Sequence, residues 1–534
     1  LEPINADEIW KGYTTSDGRV REGFYALQYA VFERYKAEYD GDWLRVLAVG
    51  PGARLTKEGA IGSNQVRHGA LSVIDDWAGR GGLGSHLLQY HRIAAVVFGG
   101  DWHDPALKEA RELDEYFLAH FGQRAISADL ALSQKYRYVP KFETGGTFGV
   151  NMYSGDDHLF SYNYASVYAS DAQRLDQHSH FILDHYLKQF NIEIIQAKNF
   201  DHCGEPCAVA CKKYSGEFKK DYEPYAALGI NCGVFDQRAA EKLNKFVDSM
   251  GLDSIQTGGT LSWIMELVAS GLIPPVDFGL PPEGPRFQFA SRPDQFDLVA
   301  DSAFNAEYAI AILKMILFSP PGAPFREGMR SAAKWLDARY GIRSIDRAVY
   351  NAHGENGCMV PNQYWVPGMF SPMPMMGKYF SYYENNFLPP YELGHKNVER
   401  IVYELYSENS GACRFHRKWV EDIIDDIILS HFDLDIDYWA SQFKLARAIH
   451  EAQSSGSAFW ESERVVDIIQ GFLEKWQRDG LQDADLLTWI ERFKTDKWKA
   501  AREFWDDLYR GMADAFKENF PEPDHKEHEA NAKK

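Results

Sequence analysis

The sequence predicts an α+β protein, with a small mixed α/β part at the N-terminus followed by two mostly α-helical domains. Three observations predict this. Short β-prone runs closed by glycine turns crowd the first part of the chain, and from about residue 105 long amphipathic segments replace them. The 534 residues also far exceed what one hydrophobic core organises. The expected boundaries are 1–104 for the α/β part, 105–330 and 331–520 for the helical domains, and 521–534 for a disordered Pro- and charge-rich tail.

Residues 7–40 read as helix, because Phe24, Leu27, Ala30, Val31 and Tyr35 recur at helical spacing. Residues 44–49 form a β-prone run ending in Gly50-Pro51-Gly52, a strand entering a tight turn. A second glycine cluster follows at Gly79-Arg80-Gly81-Gly82-Leu83-Gly84, then another strand-like run over 93–98. In that loop Gly79, Arg80, Gly81, Gly82 and Gly84 let backbone N–H groups and a guanidinium approach an anion such as phosphate. The competing reading is a plain glycine turn, and the layout is not a dinucleotide fingerprint. Helical segments follow over 105–121, 170–190, 236–249, 260–270, 297–317 and 328–340. Residues 351–395 lack periodicity and are rich in Gly, Pro, Met and aromatic side chains, a composition that suits a site or an interface. An isoleucine stripe from Trp419 to Ile428 reads as a surface-packed helix, and helix resumes near the end up to about residue 519.

A formal charge of -20 excludes nucleic acid and anionic membrane surfaces as natural partners, since phosphates are repelled. No apolar run reaches the roughly 18–20 residues that span a bilayer. The first residues carry neither the basic nor the apolar region of a signal peptide, and six cysteines are too few for a disulfide framework. The expected location is the cytoplasm.

Three of those cysteines, Cys203, Cys207 and Cys211, stand at i, i+4 and i+8, which on a helix lines three thiols along one face. Soft thiolates gathered in this way suit an iron–sulfur cluster or zinc, with ordinary buried thiols as the remaining reading. Cys413, just before the isoleucine stripe, offers a fourth ligand; Cys232 and Cys358 remain. Asp176, His178, His180 and His185 suggest a second metal site less well than a solvated helix face.

Five segments occur in the order found in the tungsten-dependent aldehyde ferredoxin oxidoreductases, which the chain resembles over residues 40–420. They are Gly50-Pro51-Gly52-Ala53, the Arg80 glycine loop, the cysteine run, the stretch from Asp221 to Gly233, and the stretch from Gly251 to Gly258. The resemblance implies tungsten, or molybdenum, held by two pyranopterins, with magnesium between the pterin phosphates and a [4Fe–4S] cluster alongside. Cys203, Cys207, Cys211 and Cys413 would ligate the cluster, and Arg80 with its glycines would hold pterin phosphate. Asn231, Gly233, Asp236 and Glu408 would hold the pterins from the helical domains, and Glu223 would transfer protons. The α/β part would be the remnant of a pterin-supporting β-domain, so the chain is expected to be truncated or completed by another chain.

The departures bear on chemistry. The spacing between Cys203 and Cys207 is longer than the family's, and the segment His353-Gly354-Glu355-Asn356-Gly357-Cys358 carries a histidine and an extra thiol. Cys358 as a thiolate ligand to tungsten, with His353 as proton donor, favours the dearomatising branch, class II benzoyl-CoA reductase. That enzyme forms cyclohexa-1,5-diene-1-carbonyl-CoA. The alternative is oxidation of aldehydes to carboxylic acids with ferredoxin as acceptor; a remoter one is an iron–sulfur electron-transfer subunit without tungsten. The expected partners are a ferredoxin-like protein or iron–sulfur subunit and a small aromatic acyl-CoA or aldehyde, within an oligomer or complex.

Overall fold

The computed structural model describes residues 1–39, 44–100, 110–203, 207–354, 358–361 and 386–518. The chain is α+β, with small sheets early and helices thereafter. It divides into two compact units, the first spanning Leu1–Ala128, Gln134–Val349 and Asn356–Tyr364, the second spanning Asp129–Ser133, Tyr350–Glu355 and Trp365–Lys534.

In the first unit the expected helix over 7–40 is instead two helices, Ala6–Lys11 and Gly23–Tyr35, separated by a hairpin of Tyr13–Thr14 and Val20–Arg21. The reason lies in the turn between them. Thr15 accepts and donates hydrogen bonds around Asp17-Gly18-Arg19, and Gly18 takes φ 83°, which closes the chain on itself. The helix Gly23–Tyr35 packs on a four-stranded antiparallel sheet, in the order Ala70–Ala78, Ile61–Arg67, Arg45–Val49, Ala95–Phe98. Phe24, Leu27, Val31 and Phe32 from the helix meet Val46, Ala48 and Val66 from the strands in one buried cluster. Gln28, fully buried, donates to the Val46 carbonyl and so satisfies a sheet carbonyl inside the core.

The helical part of this unit is built round Ser254–Ala269, whose apolar and small residues face inward on nearly all sides. Asp253 caps it by accepting from the Ile255 and Gln256 N–H groups at 3.0 and 3.1 Å. The preceding helix, Gln237–Met250, begins on the Asp236 cap and ends at Gly251, φ 66°. A Cβ at Gly251 would meet Gly50 N at 2.6 Å, so glycine alone lets the helix end touch the turn after the first sheet strand. This contact joins the sheet to the helices.

The cysteine run departs from expectation. Its described residues are not helical; they lie between the strands Phe200–Asp201 and Lys212–Ser215 of a three-stranded sheet completed by Phe218–Lys219. Strand pairing on both sides and the left-handed φ of 46° at Ala210 break any helical path.

The second unit is a helical assembly of Pro390–Asn409, Tyr438–Ser454, Glu463–Arg478, Ala484–Thr495 and Lys497–Lys517. Its main packing is Pro390–Asn409 against Lys497–Lys517. Gly394 and Gly511 sit at the crossing, where added Cβ atoms would lie 2.3 Å from the Leu508 carbonyl and 2.1 Å from the Tyr391 carbonyl. Among the described residues no single helix is long and apolar enough to cross a membrane.

Candidate cofactor and metal sites

The Arg80 loop folds where three backbone segments meet. Gly84 N donates to the Gly59 carbonyl at 2.9 Å, Ala60 N to the Gly251 carbonyl at 2.8 Å, and Asp253 N to the Glu58 carbonyl at 3.0 Å. Ser85 ties the strands together by accepting from Gly59 N and donating to the Thr56 carbonyl, both at 2.8 Å. Gly81 and Gly82 take φ of 85° and 71°, the left-handed region that only glycine enters without strain. Around Gly79 and Gly81 no atom of the described residues, chain neighbours aside, lies within 4 Å of where a Cβ would be.

Arg80 is oriented from two sides. Its Nε lies 3.1 Å from Asp253 Oδ2, and its Nη2 donates to the Val360 carbonyl at 2.6 Å. Gln256 accepts from Val360 N at 2.8 Å, and Tyr164 donates to the Pro361 carbonyl at 2.8 Å. The segment that follows Cys358–Met359 is therefore anchored beside Arg80, while the Cys358 side chain lies outside the described residues. Glu58 completes the group. Burial, then the Asp253 charge, pushes its carboxyl up to about 8, against a hydrogen bond with Gln256. Burial also raises Asp253, against the pull of Arg80. Glu58, Asp253 and Gln256 were not singled out from the sequence. Only Asp253 carried a signal, as an Asp immediately before an apolar helical run.

A cationic side chain fixed by its neighbours, next to glycine backbone open to a ligand, fits the phosphate end of an anionic cofactor. The short helix Tyr222–Pro224, which carries the half-buried Glu223, packs on the same helix Ser254–Ala269. A π-helical turn, Tyr225–Gly229, follows directly.

The other expected pterin contacts are engaged within the protein. Asn231 is fully buried, accepting from Tyr164 N and donating to Ser262 Oγ, both at 3.0 Å. The Gly233 carbonyl accepts from Asn305 at 2.9 Å. Asp236 caps its helix and accepts from His185 and Gln189 at 3.1 and 2.7 Å, and these bonds hold its carboxyl down at about 2 against burial. In the second unit Glu408 lies 3.5 Å from Arg414.

Cys203, Cys207, Cys211 and Cys413 are half-buried thiols, none of them in a disulfide. Cys207 Sγ accepts from Val209 N at 3.3 Å, a bond of the kind that favours a thiolate. Half-exposed thiols without disulfides, one already taking an amide hydrogen bond, are a donor set suited to a cluster. Cys413 lies in the second unit, where its carbonyl accepts from His416 N at 2.9 Å. Arg414 and Arg417 nearby are balanced by Glu404. Cys232 differs: it is fully buried, its thiol faces the Ala227 and Gly258 carbonyls, and burial pushes its pKa well up. It is a packed structural thiol.

Burial lowers the pKa of His353, in the second unit, and so disfavours its protonated, proton-donating form. Gly456 packs directly against its ring. His178, His180 and His185 diverge: His178 is buried against the Met152 carbonyl, His180 pairs with Asp176 and Asp184, and His185 turns to Asp236.

The sequence matches a known family. A family model described as aldehyde ferredoxin oxidoreductase, domains 2 and 3, covers residues 127–336. The chain is 32% identical over 523 residues to the glyceraldehyde-3-phosphate:ferredoxin oxidoreductase of Pyrococcus furiosus, covering 93% of this chain and 76% of that protein. It is 34% identical over 477 residues to an uncharacterised protein of Methanocaldococcus jannaschii, covering 85% and 75%. A shorter match, 37% over 144 residues, is to a tungsten-containing aldehyde ferredoxin oxidoreductase of Pyrococcus abyssi, covering 22% and 24%. The chain belongs to the aldehyde ferredoxin oxidoreductase family. It is an oxidoreductase of that tungsten-containing family, and membership implies a tungsten pterin cofactor. The dearomatising branch expected from Cys358 finds no support in these relatives.

Proposed function

We propose that the protein oxidises an aldehyde to a carboxylic acid and passes the electrons to a ferredoxin. A small phosphorylated aldehyde such as glyceraldehyde-3-phosphate is the first substrate to try. The carrying observation is 32% identity across 93% of the chain to a relative named for that substrate and for ferredoxin. This places the aldehyde alternative ahead of benzoyl-CoA reduction.

The bound tungsten pterin group would supply two-electron oxidation of the carbonyl carbon. Arg80, aligned by Asp253 and the Val360 carbonyl, would hold the cofactor's phosphate, with magnesium as further countercharge. The open backbone at Gly79 and Gly81 leaves room for that group. Oxidation of an aldehyde consumes one water and releases two electrons and two protons. Glu223 would take one of the protons at its carboxylate. Cys203, Cys207 and Cys211 would hold the electron-carrying cluster; Cys413 joins them on the resemblance alone.

The test is anaerobic, with tungsten and iron determined on the purified protein and a viologen dye as acceptor. Glyceraldehyde-3-phosphate or another aldehyde should reduce the dye. A fully metallated protein that oxidises cyclohexa-1,5-diene-1-carbonyl-CoA and no aldehyde would return the function to the dearomatising reading. Iron without tungsten would point to the electron-transfer subunit instead.

A further inference from the structure

One groove of about 760 Å³ opens in the first unit and belongs to no part of the Arg80 neighbourhood. Its wall includes Ala210, in the cysteine run itself, together with Arg137, Lys198, Glu143, Tyr138 and Phe200. Arg137 Nη1 donates to the Ala208 carbonyl at 2.7 Å, and Lys213 Nζ to the Ala210 and Tyr136 carbonyls at 2.7 and 3.1 Å. The outer backbone of the run between Cys207 and Cys211 is thus held by two basic side chains and forms one side of the groove.

Two features mark this as a built surface. Three of the nine lining residues, Glu143, Lys198 and Ala210, are non-glycine residues at positive φ (52°, 55° and 46°). Such conformations persist where surrounding structure enforces them and collect at functional positions. The charge is the second. On a chain of formal charge -20, residues 134–142 carry Lys135, Arg137 and Lys141 and no acid. Arg137 and Lys198 are exposed at the groove, and among its described lining residues Glu143 is the one acid. A local basic patch on an acidic protein steers an acidic partner to one place, since the rest of the surface repels it.

We propose that this groove is the docking surface for an acidic electron-carrier protein of the ferredoxin type, seated against the cysteine run. The inference rests on the reading of ferredoxin as acceptor, and it adds where the carrier sits and which charges recruit it. Lys198 meets the carrier's acidic rim, and Arg137 meets it while fixing the Ala208 carbonyl.

The test uses the full-length, metal-loaded protein with a small acidic ferredoxin, in a direct binding titration and as electron acceptor. Lys198→Glu should weaken ferredoxin binding about tenfold at low ionic strength and raise the KM for ferredoxin alike. The viologen-linked rate and the iron content should stay at wild-type values. Arg137→Gln should weaken binding in the same direction. Adding salt should weaken wild-type binding and leave the Lys198→Glu variant nearly unchanged. Ferredoxin binding unaffected by both substitutions would overturn the proposal. So would loss of inorganic phosphate binding alone, which would make the groove a small-anion site. If no aldehyde reduces viologen, the functional reading falls while the titration still decides the docking surface.

Discussion

Glu58 carries its carboxyl into the interior beside Asp253, and burial with that neighbouring charge moves its pKa from 4.5 to about 8. Between those values the folded protein keeps a proton that the unfolded chain has released. Stability therefore falls as pH rises through this window, by on the order of 5 kcal/mol across its full span. Glu58→Gln, neutral at every pH, should raise the apparent Tm at about pH 8 and flatten its decline from about pH 5. Identical Tm profiles for the two proteins would refute this. Asp253, also raised, leaves some slope in the variant. Arg80 stood out in the sequence as a guanidinium among glycines, with a plain glycine turn as the competing reading. Glu58 and Gln256 did not, since nothing local in either stretch announces that two distant segments will converge. Cys232 was a remaining thiol, and burial against two carbonyls made it structural.

Among elements, the helix Gln237–Met250 could be read nearly to the residue, because Asp236 caps its start and Gly251 its end. The same periodicity argument failed over residues 7–40, where Asp17-Gly18, a turn signal in plain view, gives a hairpin between two helices. The crossing of Pro390–Asn409 and Lys497–Lys517 shows what periodicity omits. Its stripes specify that the helices pack, while Gly394 and Gly511 specify how closely. Gly511→Ala would push a methyl to 2.1 Å from the Tyr391 carbonyl and force the helices apart. The expected cost is about 2–4 kcal/mol, seen as a lower apparent Tm despite alanine's better helix propensity. An unchanged or higher Tm would mean that the crossing relaxes freely. The cysteine run is the converse case. Its spacing fits a helix, and strand pairing on either side decides otherwise.

For the whole molecule, the resemblance implies one [4Fe–4S] cluster held by Cys203, Cys207, Cys211 and Cys413. Purified anaerobically, the protein should carry about four iron atoms per chain. Cys207→Ser and Cys413→Ser should each lose most of that iron, whereas Cys232→Ala should retain it. Full iron in Cys413→Ser would remove that residue from the ligand set.

By itself the sequence determined the α+β class, the family, and the local setting of Arg80 among its glycines. Each follows from residue type and local order, which the chain carries before it folds. Tertiary structure alone decided that Asn231 and Asp236 are consumed by internal hydrogen bonds, that Glu58 and Asp253 stand beside Arg80, and that basic side chains border the cysteine run. Those outcomes depend on distances between segments remote in sequence, and on the burial that turns a carboxylate into an acid.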